Sequence, residues 1–144
     1  MNAYYRQPAI YKDQVVFIAE DDLWTFSLKD KVARRLTANL GMIRNPQFSP
    51  DGKQIAFTST EEGTSEIYIM PSEGGEAKRL TYLGAYLYTL GWKGSKIIFA
   101  SSHSSYLQGY YKLYEIDCEG GAPVELPYGR ATDISFGEKG VVLG

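Results

Sequence analysis

The sequence predicts an all-β protein made of β-propeller blades, each a sheet of four antiparallel strands. Three observations support this: a repeat of about 44 residues, short apolar runs between turn residues, and the lack of a helical stripe. The triplet Arg-Leu-Thr ends at Thr37 and again at Thr81, 44 residues later. The apolar pairs that start at Leu23, Ile67 and Leu113 follow steps of 44 and 46 residues. Four-stranded units repeated at this length are typical of propeller blades.

The second repeat shows its four strands most clearly. β-Branched and aromatic residues are frequent in four short runs, as expected for strands. The turn Ser49-Pro50-Asp51-Gly52 closes the first hairpin, because proline fixes φ near −65° and glycine accepts a positive φ. We expect Asp51 to bind main-chain amides of this turn. The predicted strands, A to D, are 44–48, 54–59, 66–70 and 77–81.

Other turn residues separate strands C and D of each unit. The pairs Gly74-Gly75 and Gly120-Gly121 suit tight hairpins and lack the surrounding motif of a phosphate-binding loop. In the first unit, apolar residues between 23 and 36 are interrupted by Lys29-Asp30-Lys31. This interruption predicts a hairpin turn and not a helix.

The repeats divide the chain into blades at about 5–39, 43–84 and 87–130, and residues 131–144 supply two strands of a fourth. A propeller closes with about four blades or more. We therefore expect an incomplete propeller that belongs to a longer polypeptide. Its exposed blade edges should favour self-association.

Composition excludes several classes of function. The net charge of −2 and the lack of a long basic run argue against binding to nucleic acid or to an anionic membrane. Cys118 is the single cysteine, so an internal disulfide is excluded. The N-terminus lacks the pattern of a signal peptide, and no apolar run reaches the roughly 18 residues of a spanning helix. These features predict a cytoplasmic protein.

The chain offers little catalytic chemistry. His103, the one histidine, lies among serines at 101–105, but no GxSxG motif accompanies it. We predict a solvated loop there and not a catalytic pair. The acidic clusters Glu20-Asp21-Asp22 and Glu61-Glu62 lack the DxDxDG spacing of a calcium loop, so they are best interpreted as charges at strand ends. We predict no catalytic residue, no metal and no cofactor.

A series of motifs occurs in a fixed order along nearly the whole chain. The motifs are Asp21-Asp22-Leu23-Trp24, Ala33-Arg34-Arg35-Leu36-Thr37, Asn39-Leu40-Gly41, Phe48-Ser49-Pro50-Asp51-Gly52-Lys53, Gly74-Gly75-Glu76-Ala77-Lys78-Arg79-Leu80-Thr81-Tyr82, Leu113-Tyr114 and Gly129-Arg130-Ala131-Thr132. Together they resemble the repeats of TolB-like propellers and, more specifically, the N-terminal propeller of tricorn proteases. That resemblance implies a large cytosolic, self-compartmentalising serine peptidase whose catalytic residues lie beyond position 144 and whose N-terminal propellers gate peptides.

Two other functions fit the same repeats. One is a TolB-like propeller that acts as a protein–protein interaction module. The other is the propeller cap of a prolyl-oligopeptidase-type hydrolase. The sequence encoded after Gly144 would discriminate between them, because only the hydrolase continues with a GxSxG elbow.

The topology separates the connections onto two rims. The A–B and C–D turns share one rim, the turn rim, and the B–C and D–A connections share the other, the loop rim. The loop rim collects the longer, acidic and tyrosine-rich connections, and binding residues tend to lie on such loops. These predicted connections are 20–22, 39–44, 61–63, 82–88, 101–110 and 128–130. We predict that it contacts a peptide, a neighbouring subunit or another domain of a larger peptidase. The alternative is that its tyrosines pack between blades. The candidate residues are Tyr82, Tyr86, Tyr88, His103, Tyr106, Tyr110 and Arg130.

Overall fold

The computed structural model consists of antiparallel sheets and describes residues 4–106 and 109–144. Each of the first three sheets has four strands in chain order, and the fourth has two. The predicted fold class, an open propeller of three blades and the start of another, is confirmed. The strands are, in sheet 1, β1 (Arg6–Tyr11), β2 (Gln14–Ala19), β3 (Asp22–Ser27) and β4 (Val32–Arg35); in sheet 2, β5 (Arg44–Phe48), β6 (Gln54–Ser59), β7 (Glu66–Pro71) and β8 (Lys78–Arg79); in sheet 3, β9 (Leu87–Lys93), β10 (Lys96–Ser101), β11 (Lys112–Asp117) and β12 (Val124–Arg130); in sheet 4, β13 (Ile134–Gly137) and β14 (Gly140–Leu143).

The turn between β5 and β6 has the chemistry that its sequence predicts. Asp51 Oδ1 accepts hydrogen bonds from Ser49 Oγ at 2.7 Å and from Lys53 N at 3.0 Å. These bonds, that from Ser49 most of all, lower the pKa of Asp51. Gly52 has a φ of +72°, and a Cβ there would lie 2.1 Å from the ring of Tyr11 in sheet 1. The turn therefore closes its hairpin and also lies close to the neighbouring sheet.

Strand β8 is shorter than predicted, with two residues in place of the five at 77–81. The reason lies in the pairing with β7. Leu80 N still donates to Ile67 O at 2.8 Å, but Ile67 N donates to the side chain of Thr81, with Oγ1 at 2.9 Å. A hydroxyl thus replaces the main-chain acceptor, and the regular ladder ends.

Neighbouring sheets pack face to face around apolar clusters. Sheets 1 and 2 share one cluster, sheets 2 and 3 share another, and a smaller one joins sheet 3 to sheet 4. This explains the run Ile55-Ala56-Phe57 in β6, whose side chains are all fully buried because both faces of the strand are covered. The fully or almost fully buried side chains include Ile18, Leu23, Ile43, Ile55, Phe57, Ile67, Met70, Ile97, Ile98, Phe99, Leu113 and Ile116.

The first strands of the sheets form the inner edge of the propeller. Strand β5 contacts both β1 and β9, whereas β4, β8 and β12 pack mainly against the strand beside them in their own sheets. We call β1, β5 and β9 the inner strands. In the part of the chain that the structure describes, no helix is long and apolar enough to cross a membrane.

Candidate functional site

A buried cluster of Glu66, Thr81 and Arg79 stabilises the loop rim of sheet 2. Glu66 is 1% exposed, and it accepts hydrogen bonds from Thr81 Oγ1 and, at 2.9 Å, from Gly84 N. Arg79 Nη2 lies 3.2 Å from its Oε1 atom. Burial raises the pKa of Glu66, but the hydrogen bonds from Thr81, Gly84 and Leu83, with the charge of Arg79, outweigh burial and lower it. The Arg-Leu-Thr triplet therefore has a structural role.

The same cluster recurs in sheet 1 with a shorter acid. Thr37 Oγ1 donates to Asp22 Oδ1 at 2.9 Å and accepts from Leu23 N at 2.9 Å, while Arg35 pairs with the second carboxylate oxygen. In sheet 3 the signs of the two charges at the equivalent positions are reversed. Lys112 stands where the acid is expected and lies 2.8 Å from Glu125, which stands where the arginine is expected.

An open cleft of about 480 Å³ lies on the loop rim, where the inner strands begin. Gln7 of β1, Arg44 of β5 and Tyr88 of β9 lie on its wall, so three sheets contribute to it. We call it the rim cleft. A second depression of about 400 Å³ adjoins it and shares Gln7 and Arg44. The remaining lining residues are Met42, Asn45, Thr58, Thr60, Ser65, Tyr86, Leu87 and Tyr111 in the first and Tyr4, Tyr5 and Arg6 in the second.

Two equivalent β-bulges, one in β1 and one in β5, position the part of the rim cleft that contains Gln7 and Arg44. The registers of β1 and β5 shift after Arg6 and after Arg44, and the following residues have positive φ angles, +48° at Gln7 and +51° at Asn45. Gln7 Oε1 accepts a hydrogen bond from Asn45 N at 2.9 Å, which joins the two bulges. A proline follows each of them, as is common at bulges and edge strands. The sequence signal is Arg-Gln-Pro at 6–8 and Arg-Asn-Pro at 44–46, and neither triplet is part of the predicted site.

The predicted tyrosines of the loop rim lie in different environments. Tyr86 is 74% exposed and lines the rim cleft. Tyr82 lies against the guanidinium of Arg79, 4.3 Å from ring centroid to Cζ, and Tyr106 is fully exposed. The structure does not place Tyr82 or Tyr106 in the rim cleft. Of these three side chains, Tyr86 is the one that lines the rim cleft.

Two of the candidates pair with each other. The guanidinium of Arg130 lies over the ring of Tyr110 at 4.0 Å, an arrangement that favours cation–π attraction. Arg130 ends strand β12, so it lies in a strand and not, as predicted, in the connection that follows. Its main chain pairs with Lys112 of β11, and this pairing extends the strand to the rim.

Tyr88 also lies in a strand and not in the predicted 82–88 connection, because β9 begins at Leu87. Its hydroxyl donates to Thr132 O at 2.8 Å, and its ring lies 5.5 Å from that of Tyr111. Burial, followed by the proximity of Tyr111 and Asp133, raises the pKa of Tyr88. These contacts agree with the alternative that some rim tyrosines pack between blades.

His103 is anchored to its own sheet. Its Nδ1 atom lies 3.0 Å from Ser101 Oγ, and its ring centroid lies 4.4 Å from that of Tyr114. Partial burial in this contact lowers the pKa of His103, against a smaller opposing effect of Glu125 and Glu66. No carboxylate among the described residues is hydrogen-bonded to His103, so a triad is not assembled there. The predicted loop 101–110 includes residues 107 and 108, which lie outside the described part of the chain.

The acidic clusters make ion pairs within the fold. Asp21 pairs with Arg6 at 2.7 Å, Asp22 with Arg35, and Glu62 with Arg79. Within residues 4–106 and 109–144, no group of three or more histidine, cysteine or acidic side chains could hold a metal ion. The thiol of Cys118 packs against the cluster between sheets 2 and 3, and burial raises its pKa.

The fold and the rim cleft together define the class of protein: an open β-propeller segment whose inner edge carries an open cleft lined by polar and aromatic residues. Comparison with known proteins then identifies the family. The chain matches the family model of the tricorn protease N-terminal β-propeller domain over residues 2–143. It therefore belongs to the tricorn protease family, as the motifs predicted.

Two relatives illustrate how much of such proteins the chain represents. It is 36% identical over 145 residues to "Tricorn protease homolog 1" of Streptomyces coelicolor, covering 98% of this chain and 13% of that protein. It is 30% identical over 150 residues to the "Putative Tricorn-like protease N-terminal subunit" of Sulfurisphaera tokodaii, covering 99% of this chain and 75% of that protein. The chain thus spans about an eighth of the first relative and three quarters of the second.

Solved structures agree with this assignment. The crystal structure of the tricorn protease matches with a TM-score of 0.89 and 29% identity, over 99% of this chain and 15% of that one. TolB from Acinetobacter baumannii matches with a TM-score of 0.76 and 20% identity, over 98% of this chain and 37% of that one. At that lower identity, the likeness to TolB concerns the fold alone.

Proposed function

We propose that this chain is a non-catalytic part of a tricorn-type, self-compartmentalising serine peptidase, in which its loop rim controls the access of peptides. The observation that carries the proposal is the rim cleft, whose wall combines Gln7 of sheet 1, Arg44 of sheet 2 and the tyrosines at 86, 88 and 111 in or beside the strands of sheet 3. Tyrosine and arginine are favoured in binding surfaces. Family membership supplies the context of a peptidase, and a cytoplasmic location is part of the proposal.

The chemistry of the rim supports binding without catalysis. The Ser101–His103 pair lacks a hydrogen-bonded carboxylate among the described residues, and a triad needs that third group to orient the histidine. Two acidic groups of the loop rim, Asp21 and Glu62, are paired with arginines. The chain alone should show no turnover of fluorogenic peptides. Turnover that a serine-reactive inhibitor abolishes would contradict this expectation.

The role of the loop rim is tested by adding peptides to the 144-residue chain and monitoring binding through the chemical-shift changes of backbone amides in NMR spectra. We expect the shifts to cluster around Tyr86 and the inner strands. The variant Tyr86→Ala should weaken binding about tenfold, because an exposed aromatic contact is lost while the fold is unaffected. A matched control is Leu28→Ala, an exposed apolar residue of the turn rim. Equal losses in both variants would overturn the role of the loop rim.

Assembly is a second candidate function. The relative from Sulfurisphaera tokodaii is named as an N-terminal subunit, which supports a propeller segment that joins the rest of a peptidase as a separate chain. Exposed apolar side chains such as Ile10, Val32 and Val142 are available for such contacts. We expect light scattering to show concentration-dependent self-association. A monomer at all concentrations would argue against exposed blade edges as association surfaces.

A further inference from the structure

The charges of the six arginines are not balanced equally. Arg6, Arg34, Arg35 and Arg79 all lie within 4 Å of a carboxylate oxygen. Within the described residues, Arg44 and Arg130 have no such partner, and both lie on the loop rim. Arg130 is already covered by the ring of Tyr110. Arg44 is therefore the arginine whose charge most clearly lacks a partner.

The guanidinium of Arg44 is held in place by a neutral group. Its Nη2 and Nε atoms lie 2.9 and 3.3 Å from the sulfur of Met42. A thioether is only a weak acceptor, so it orients the guanidinium without neutralising it. In the main chain, the bulge at Asn45 is joined to the neighbouring sheet, because Asn45 N donates a hydrogen bond to Gln7 Oε1 at 2.9 Å. Met42 thus orients the guanidinium, and the hydrogen bond to Gln7 fixes the main chain that follows Arg44 against sheet 1.

Among the described residues, no carboxylate lies within 4 Å of the Arg44 guanidinium, and Asp21 is already paired with Arg6 of the adjoining depression at 2.7 Å. None of the described residues that line the rim cleft or the adjoining depression is acidic. Apart from Arg44 itself and Arg6, which is paired with Asp21, their polar groups are the amides of Gln7 and Asn45 and the hydroxyls of threonine, serine and tyrosine. Arginine binds a carboxylate through two parallel N–H donors, Nε and Nη2 among them. In Arg44 these are the donors now directed at sulfur.

We propose that Arg44 forms a subsite for the acidic side chains of polypeptide segments that enter the rim cleft. A glutamate or aspartate carboxylate displaces the Met42 sulfur from Nε and Nη2, while the neighbouring tyrosines contact the backbone of the segment. This subsite rests on the proposed peptide-binding role of the loop rim, and it adds a preference for acidic residues. The acidic residue belongs to a peptide that enters the rim cleft.

The test measures binding of acetylated, amidated peptides to the 144-residue chain, with glutamates in one peptide and glutamines in its matched partner. Blocking both termini removes the terminal charges. We expect the glutamate peptide to bind about five- to tenfold more tightly at low salt, as for a charge-assisted hydrogen bond in a partly exposed cleft. The preference should decline as salt is added.

The variant R44Q should reduce this preference to less than about twofold, and R44K should give an intermediate value because it retains the charge and loses the two-donor geometry. R34Q is the matched control: it changes the net charge equally, and Arg34 already pairs with Glu73. It should leave the preference intact. If R44Q does not fold, the subsite is still tested by two measurements: the ratio of the two peptide affinities for the unsubstituted chain, and the same ratio for R44K.

Each other outcome overturns a distinct statement. Equal binding of both peptides, or a preference that persists in R44Q, refutes the Arg44 subsite while the peptide-binding rim stands. Binding that requires a free C-terminal carboxylate also refutes it, because the acidic side chain is then not the recognised group. Failure of every peptide to bind refutes the subsite together with the peptide-binding role of the rim.

Discussion

Removing the carboxylate of Glu66 should destabilise the fold more than removing that of its counterpart Asp22. The arginine beside Glu66, Arg79, has a side chain that is 14% exposed, whereas Arg35 beside Asp22 is 48% exposed. Breaking a buried ion pair by removing one partner costs about 3–5 kcal/mol. Because Glu62 still pairs with Arg79, we expect about 2–3 kcal/mol for Glu66→Gln. For Asp22→Asn we expect about 1 kcal/mol, since Arg35 can turn to water.

The measurement is urea unfolding of the 144-residue chain followed by circular dichroism. The pKa of Glu66 is lower in the folded state, so its contribution is present above the unfolded pKa of about 4.3. That contribution is lost as the pH falls through the lower folded value. Glu66→Gln should therefore show a weaker loss of stability with acid than the unsubstituted chain. Equal costs for the two substitutions, or an unchanged acid dependence, would refute this account.

Three further predictions concern single residues. Gly41→Ala should lower the free energy of unfolding by about 2–4 kcal/mol in thermal unfolding, because φ is +66° and the Cβ would lie 2.6 Å from a main-chain nitrogen. Gly84→Ala is the control: φ is +62° but the space is open, so the loss should be about 1 kcal/mol. A larger loss for Gly84→Ala than for Gly41→Ala would contradict the steric argument. An NMR titration of His103 should give a pKa below the ordinary value because of burial, and a raised value would contradict the contact with Tyr114. Trp92→Phe should cost about 1 kcal/mol, since the indole N–H donates to a main-chain oxygen of sheet 2 at 3.0 Å; an unchanged melting temperature would argue against that bond.

The fold could be predicted because its signals are local and repeated. The turn at Ser49–Gly52 and the periodic Arg-Leu-Thr triplets determine hairpins and blade length without reference to distant residues. The length of β8 could not be predicted in this way. It depends on Thr81 Oγ1 accepting the hydrogen bond of Ile67 N, and strand propensity does not reveal such a side-chain substitution for a main-chain partner.

The candidate site was harder to predict, because it combines residues of different sheets. Two of the residues predicted from the sequence, Tyr86 and Tyr88, line the rim cleft, whereas Arg44 and Gln7 line it without being among the predicted residues. Tyrosine content directs attention to the loops, but the cleft wall also uses the first residues of the inner strands. The shared Arg-Gln-Pro and Arg-Asn-Pro triplets were the available signal, since a proline inside a predicted strand indicates a bulge or an edge.

The distinction between structural and functional charge follows from the same repeat. Arg35 and Arg79 occupy equivalent positions and are held by carboxylates, so their charges are used within their own sheets. In sheet 3 the pair is inverted to Lys112 and Glu125, which preserves the attraction with opposite signs. Such interchangeability indicates that the pair mainly stabilises the blade. Arg44 belongs to no pair of this kind, and its position depends on bulges that cost backbone strain. A charge that the fold orients without neutralising it remains available to a ligand.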